Sequence, residues 1–126
     1  RLRQDPRVVV LERRNIRYLD PSEVPDPIDV TTIDVSFISL SIVLPSIVRF
    51  LKKPSLVVAL IKPQFEVGRG QIGRGGGVRN ESQRRAVTEK ILRCAEELDF
   101  TCVGIIDSPV LGPRGNREIL AGFHLS

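Results

Sequence analysis

Three features of this 126-residue sequence predict an α/β fold with a mostly parallel sheet and an antiparallel last strand. Short β-branched runs alternate with stretches of helical apolar spacing. One run, Leu56–Ile61 (LVVALI), contains no polar residue, as expected of a central strand covered on both faces. The link between the last two runs, Asp107–Arg117, holds Pro109, Gly112, Pro113 and Gly115. It leaves no room for a packed crossover helix, so the final strand should return antiparallel.

In chain order, Arg7–Leu11 (RVVVL) is the first expected strand, and the proline-dense Pro21–Pro27 is a connection. Ile28–Val35 (IDVTTIDV) is the second strand. Leu40, Leu44, Ile47, Val48 and Leu51 then fall at helical spacing, with Pro45 tolerable near the helix start. After Leu56–Ile61, a second stripe follows at Val87, Ile91, Cys94, Ala95 and Leu98. Asn80 with Gln83 offers that helix a capping box. Thr101–Ile106 and Glu118–Leu125 complete the strands. The single histidine, His124, reads as structural. Cys94 and Cys102 have neither metal-ligand nor CxxC spacing, so they read as small buried hydrophobes, and no metal site is expected.

Forty-one per cent apolar and 27% charged residues are the proportions of an ordinary soluble domain with one core. No run has the length of a membrane helix and no signal-peptide pattern opens the chain, so a cytoplasmic location is expected. The net charge of +4 is unevenly spread. Residues 1–20 carry six arginines against three acids, and residues 21–40 four acids and no base. Residues 62–93 carry eight basic side chains against three acids. A polyanion such as nucleic acid would use this asymmetry, and a solvated surface could also display it.

Open α/β sheets bind ligands beyond the carboxyl ends of their strands. Asp34 ends one strand run and Lys62 follows another, each a charge where an apolar strand opens into a loop. Pairing of the two as a structural ion pair has equal weight with a functional reading. An antiparallel last strand would start at the same rim and so bring Glu118 to it. Nearby, Gly68–Gly73 spells GxGxxG, but Lys62–Val67 separates it from the strand and the next helix starts only near Glu81. A dinucleotide fingerprint is therefore not expected. Gly68–Asn80 reads instead as a loop beside Lys62, with Arg69, Arg74 and Arg79 available to phosphates. A merely solvated loop is the alternative.

The motifs Asp34–Leu40 (DVSFISL), Lys62–Glu66 (KPQFE) and Gly115–Glu118 (GNRE), with the opening Asp5–Leu19, resemble hemolysin A type, FtsJ-like rRNA 2′-O-methyltransferases. The resemblance spans essentially the whole chain; Gly77 departs from an apolar residue usual in the family. It implies a partial Rossmann-like, S-adenosylmethionine-dependent methyltransferase fold, with residues 1–126 as the C-terminal part of the domain. The family's glycine-rich donor loop and its S4-like RNA-binding domain have no counterpart here. Of the family's Lys-Asp-Lys-Glu tetrad, Asp34, Lys62 and Glu118 match the last three members, and the first lysine has no match. The resemblance further implies S-adenosylmethionine as cofactor, with Asn15 and Asp34 at its site, and ribosomal RNA or ribosomal subunits as partner. It also leaves Ile28–Val35 without its family neighbour, an open edge that should favour a dimer or swapped assembly. The chain alone is expected to be inactive. The competing readings are a noncatalytic RNA-binding module and an inactive fragment.

Overall fold

The computed structural model describes residues 1–68 and 80–126. Its regular elements are β1 (Ile28–Ile33), α1 (Leu40–Ile47), β2 (Leu51–Ile61), α2 (Glu81–Glu97), β3 (Phe100–Asp107) and β4 (Ile119–Leu125). Short 3-10 turns lie at Val48–Phe50, Pro63–Phe65 and Pro113–Gly115, among others. The sheet order is β1-β2-β4-β3. β1 and β2 pair in parallel, and β4 is antiparallel to both of its neighbours, β2 and β3. Three strands thus share one direction, and the last strand is inserted between two of them. The fold is α/β with an antiparallel last strand, as the Asp107–Arg117 link predicts.

The connections β1–α1–β2 and β2–α2–β3 both step the same way across the sheet. Crossovers of one hand stepping in one direction lay their helices on the same face. The core accordingly forms between that face and the two helices. Val57, Ala59 and Ile61 of β2 and Ala121 and Phe123 of β4 meet Leu40, Val43, Leu44 and Ile47 of α1 and Val87, Ile91 and Ala95 of α2. Phe123 is fully buried, with the Phe100 ring 6.1 Å from its own.

The helices obey their local signals. Asn80 caps α2, its side chain accepting from the backbone N–H groups of Ser82 and Gln83. In α1, Pro45 has no N–H to give the Ser41 carbonyl one turn back. The Cys94 thiol of α2 donates to that carbonyl instead, at 3.9 Å. Burial, with Glu97 nearby, pushes the Cys94 thiol pKa up, which keeps it a donor.

Four sequence expectations are corrected. Arg7–Leu11 is not a strand: no described strand lies beside it to complete a ladder, and Val9 is 80% exposed. The first helical stripe stops at Ile47, and Leu51 opens β2, opposite Ile28. A bulge follows, since Val30 already faces Leu56. β2 is central, but among the described residues helices cover only one of its faces; Val58 and Leu60 are half-buried and Leu56 is exposed on the other. Cys102 is exposed, because β3 is an edge strand whose outer positions lie beyond the helices.

Replacing Phe123 by Ala should destabilise the fold by roughly 3–5 kcal/mol through loss of burial and the cavity left behind. Cys102→Ser, at an exposed site, should stay within about 0.5 kcal/mol. Urea unfolding of the two variants beside the parent chain checks both.

Candidate active site

Parallel pairing sets β1 and β2 side by side with Ile33 opposite Ala59. Both strands end at one rim, so the first residues beyond them become neighbours. Asp34 Oδ1 lies 2.6 Å from Lys62 Nζ. The lysine side chain is 14% exposed, whereas the aspartate is 70% exposed. Nζ also donates to Ser36 Oγ at 3.2 Å. The ammonium therefore has two oxygen partners on the loop that follows β1.

Glu118 reaches the rim from the opposite direction, immediately before β4. Its side chain is buried, and Oε2 accepts from Gln64 Nε2 at 2.8 Å. Gln64 stands two residues after Lys62, in the 3-10 turn Pro63–Phe65. The three charges thus share one rim, with Glu118 tied to the Lys62 loop through Gln64 and not by an ion pair to Lys62. A carboxylate only accepts, so the Gln64 amide must present its nitrogen to Glu118, and its Oε1 is left buried without a partner.

The segment before Glu118 is built to hold this carboxylate. Any β-carbon at Gly112 would overlap it and force the carboxylate to move, so glycine leaves it its space. Gly112 N–H donates to the Asn116 carbonyl, and the Asn116 side chain to the Pro113 carbonyl, each at 2.8 Å. Arg114 takes a left-handed conformation at φ 60°. From α2, the buried Arg84 donates to the Arg117 carbonyl at 3.0 Å and to Asp107 Oδ1 at 2.9 Å. Burial opposes the Arg84 charge, yet the hydrogen bonds to Asp107 and Glu81 outweigh it and raise the pKa. A permanent cation consequently joins the end of β3 to the start of β4.

Between these loops lies a cleft of about 520 Å³, lined by Ser36, Phe37, Gln64, Phe65, Pro113 and Arg114, with Asn116. Phe37 is 89% exposed and has φ 64°, an uncommon conformation for a bulky residue. Its ring centroid is 4.7 Å from that of Phe65, the planes tilted by 55°. An exposed aromatic platform beside a charged rim suits a flat, polar ligand.

Other sequence candidates lie apart. Asn15 forms an Asx turn, its Oδ1 accepting from Arg17 N–H at 3.0 Å. Arg49, in the turn that enters β2, donates to the carbonyls of Ile16 and Leu19, each at 2.7 Å. The segment after Asn15 is thereby tied to the turn before β2, while Lys62 follows the other end of that strand. No hydrogen bond or ion pair among the described residues joins Asn15 to Asp34, Lys62 or Glu118. Arg69, Arg74 and Arg79 lie outside the described residues. Sequence reasoning missed Ser36, Phe37, Gln64, Arg84 and Gly112. Phe37, an aromatic between Ser36 and Ile38 just past a strand end, was the one legible signal among them, since binding residues concentrate on loops.

Comparison with known proteins matches the chain to an established group. The FtsJ-like methyltransferase family profile matches residues 1–125. The chain is 47% identical over 117 residues to the 16S/23S rRNA (cytidine-2′-O)-methyltransferase TlyA of Mycobacterium tuberculosis, covering 93% of this chain and 44% of that protein. It is 36% identical over 124 residues to hemolysin A of Brachyspira hyodysenteriae, covering 98% and 52%. A crystal structure from Lactococcus lactis, provisionally named a hemolysin, superposes with a TM-score of 0.93 at 41% identity, covering 98% of this chain and 60% of its own. The chain therefore spans about half the length of the curated relatives it matches. With a family match along nearly its whole length, the chain belongs to the FtsJ-like methyltransferase family.

Proposed function

We propose that this chain is the C-terminal, Lys62-bearing part of an S-adenosylmethionine-dependent enzyme that methylates ribose 2′-hydroxyls of ribosomal RNA. The observation that carries the reading is the Lys62–Asp34 pair at 2.6 Å on the carboxyl rim of two parallel strands. Glu118 faces the same rim through Gln64. Relatives named for rRNA methylation point to the substrate class. Ribosomal RNA or a ribosomal subunit is the partner, in the cytoplasm. No described helix is long and apolar enough to cross a membrane.

S-adenosylmethionine, when bound, supplies an electrophilic methyl on a sulfonium. Transfer of that methyl to a ribose 2′-hydroxyl would require residues of the chain to orient the hydroxyl and take up its proton. Lys62 sits where it can orient the hydroxyl by N–H donation, or accept its proton once the amine is neutral. Asp34 and Ser36, both bonded to its Nζ, hold the lysine in place for either task. Glu118, buried and fixed by Gln64, adds negative charge to the rim. Asp34, paired with Lys62 through Oδ1 but largely exposed, can also present its other oxygen to a cationic group of the donor, and Asn15 is assigned to the adenine side by the resemblance alone. Phe37 offers a stacking surface to a nucleobase, and Arg69, Arg74 and Arg79 are assigned to RNA phosphates.

In the full-length protein, Lys62→Ala should lower methyl transfer by roughly 10²–10⁴-fold while donor binding and folding persist. Activity within a few-fold of the parent would remove Lys62 from the mechanism and leave an RNA-binding module as the better reading.

Replacing Arg69, Arg74 and Arg79 together should weaken RNA binding and flatten its salt dependence, because every arginine that neutralises a phosphate releases counterions on binding. Filter binding across a salt series measures the slope; an unchanged slope means that these arginines do not touch RNA.

Among the described residues β1 pairs only with β2, so its outer edge is unpaired, and Val30 on it is 59% exposed. The chain on its own should therefore self-associate, as a dimer or a swapped assembly, and bind the donor weakly. Light scattering should give a mass that rises with concentration, and calorimetry no tight donor binding. A monodisperse monomer with micromolar donor affinity would contradict both.

A further inference from the structure

Glu66 ends the KPQFE segment, and its side chain is only 2% exposed. Such burial is costly for a carboxylate unless its oxygens are satisfied. Both are. Oε1 accepts from Ser39 Oγ at 2.6 Å and lies 3.6 Å from Lys90 Nζ of α2. Oε2 accepts from the backbone N–H of Leu40, the first residue of α1, at 2.8 Å. The Ser39 hydroxyl has one proton, which goes to Glu66; Ser41 Oγ, 2.7 Å away, then donates to Ser39.

These bonds close a frame. The loop after β1 and the loop after β2 start together at the sheet, where Ile33 faces Ala59. From there, contacts between the loops follow one another in chain order. Asp34 and then Ser36 meet Lys62, Phe37 meets Phe65, and Ser39 with Leu40 meets Glu66. The strands hold one end of the frame, and Glu66 holds the other. Phe37, exposed and left-handed, lies between these fixed ends.

We infer that Glu66 is a positioning residue for methyl transfer: it locks the loop bearing Asp34, Ser36 and Phe37 to the loop bearing Lys62. This rests on Lys62 acting in the reaction. Glu66 touches none of the groups assigned to chemistry and acts only through the spacing of the two loops. Its place on the Leu40 N–H also fills the start of α1, so that donor is already taken by the protein's own carboxylate.

Glutamine at position 66 preserves length and shape but offers one acceptor where two donors converge. Its Oε1 can keep the Leu40 N–H only if its NH₂ group donates to Ser39 Oγ, whose proton then turns to Ser41. This sets the NH₂ against the Lys90 ammonium that lies 3.6 Å from Glu66 Oε1, so the loops would shift on that side. Misplacement of reacting groups by about 1 Å costs on the order of 10²-fold in rate.

The test uses the full-length protein and its RNA substrate, with Glu66→Gln, Ser39→Ala and Lys62→Ala in parallel. For Glu66→Gln the expected result is kcat lower by about 10- to 100-fold, with KM for the methyl donor unchanged and thermal unfolding shifted by only a few degrees. Ser39→Ala, which removes one of the two bonds to Glu66, should lower kcat less, again with donor KM unchanged. A normal kcat in Glu66→Gln while Lys62→Ala is inactive overturns this inference and leaves the site reading standing. An active Lys62→Ala overturns both. If Glu66→Gln does not fold, Ser39→Ala decides: reduced kcat at unchanged donor KM supports the inference, and parental kcat overturns it.

Discussion

Parallel pairing of β1 with β2 is the constraint on which the site depends. The register Ile33 to Ala59 brings the two strands out at one rim, where Asp34 and Lys62 meet. A slip of one residue would move Val57, Ala59 and Ile61 from the helix-covered face to the open one. Burial of these side chains against α1 and α2 therefore fixes the register, and the register fixes the ion pair. Core packing and site geometry are the same interaction seen from two ends of a strand.

Insertion of β4 between β2 and β3 supplies the rest. Because it runs antiparallel to both, its start lies at the rim where its neighbours end, and Glu118 arrives beside the Lys62 loop. Three devices keep the buried carboxylate in place. Gln64 gives it a donor, Gly112 gives it room, and Arg84 holds the backbone at Arg117. Arg84 could do this only as a permanent cation with its own anionic partners; a buried guanidinium without Asp107 and Glu81 would be strongly unfavourable.

The loops beyond the strands show how a polar site is kept rigid without covering it. Asp34 and Phe37 are left open to solvent, while Glu66 and Gln64 beneath them are buried and bonded. Exposed groups can meet a ligand; buried ones decide where the exposed groups stand. Helix α1 takes part through its N-terminus, which Glu66 caps from another loop, so the orientation of the helix and the spacing of the loops are coupled.

Much of this was legible in the chain itself. Period and composition determined the α/β class, the stripe on α2 and the Asn80 cap, because these depend on interactions within a few residues. The glycine- and proline-rich Asp107–Arg117 link was enough to turn β4 antiparallel, and charges at strand ends were enough to single out Asp34, Lys62 and Glu118. Arg7–Leu11 was misjudged because β-propensity describes a side chain's fit to a sheet, while a strand exists only where a neighbour completes its hydrogen bonds. The one-sided cover of β2 escaped because it follows from the direction of two successive crossovers. Gln64, Glu66, Arg84 and Gly112 carry no local signature. Their partners stand 54, 26, 33 and 6 positions away, and only folding brings a donor to Glu118, a helix end to Glu66 and a carbonyl to Arg84. The sequence by itself singled out the charges proposed to carry the chemistry, since charge at a strand end is a local fact. Tertiary structure alone decided which residues hold them, since that depends on contacts closed across the whole chain.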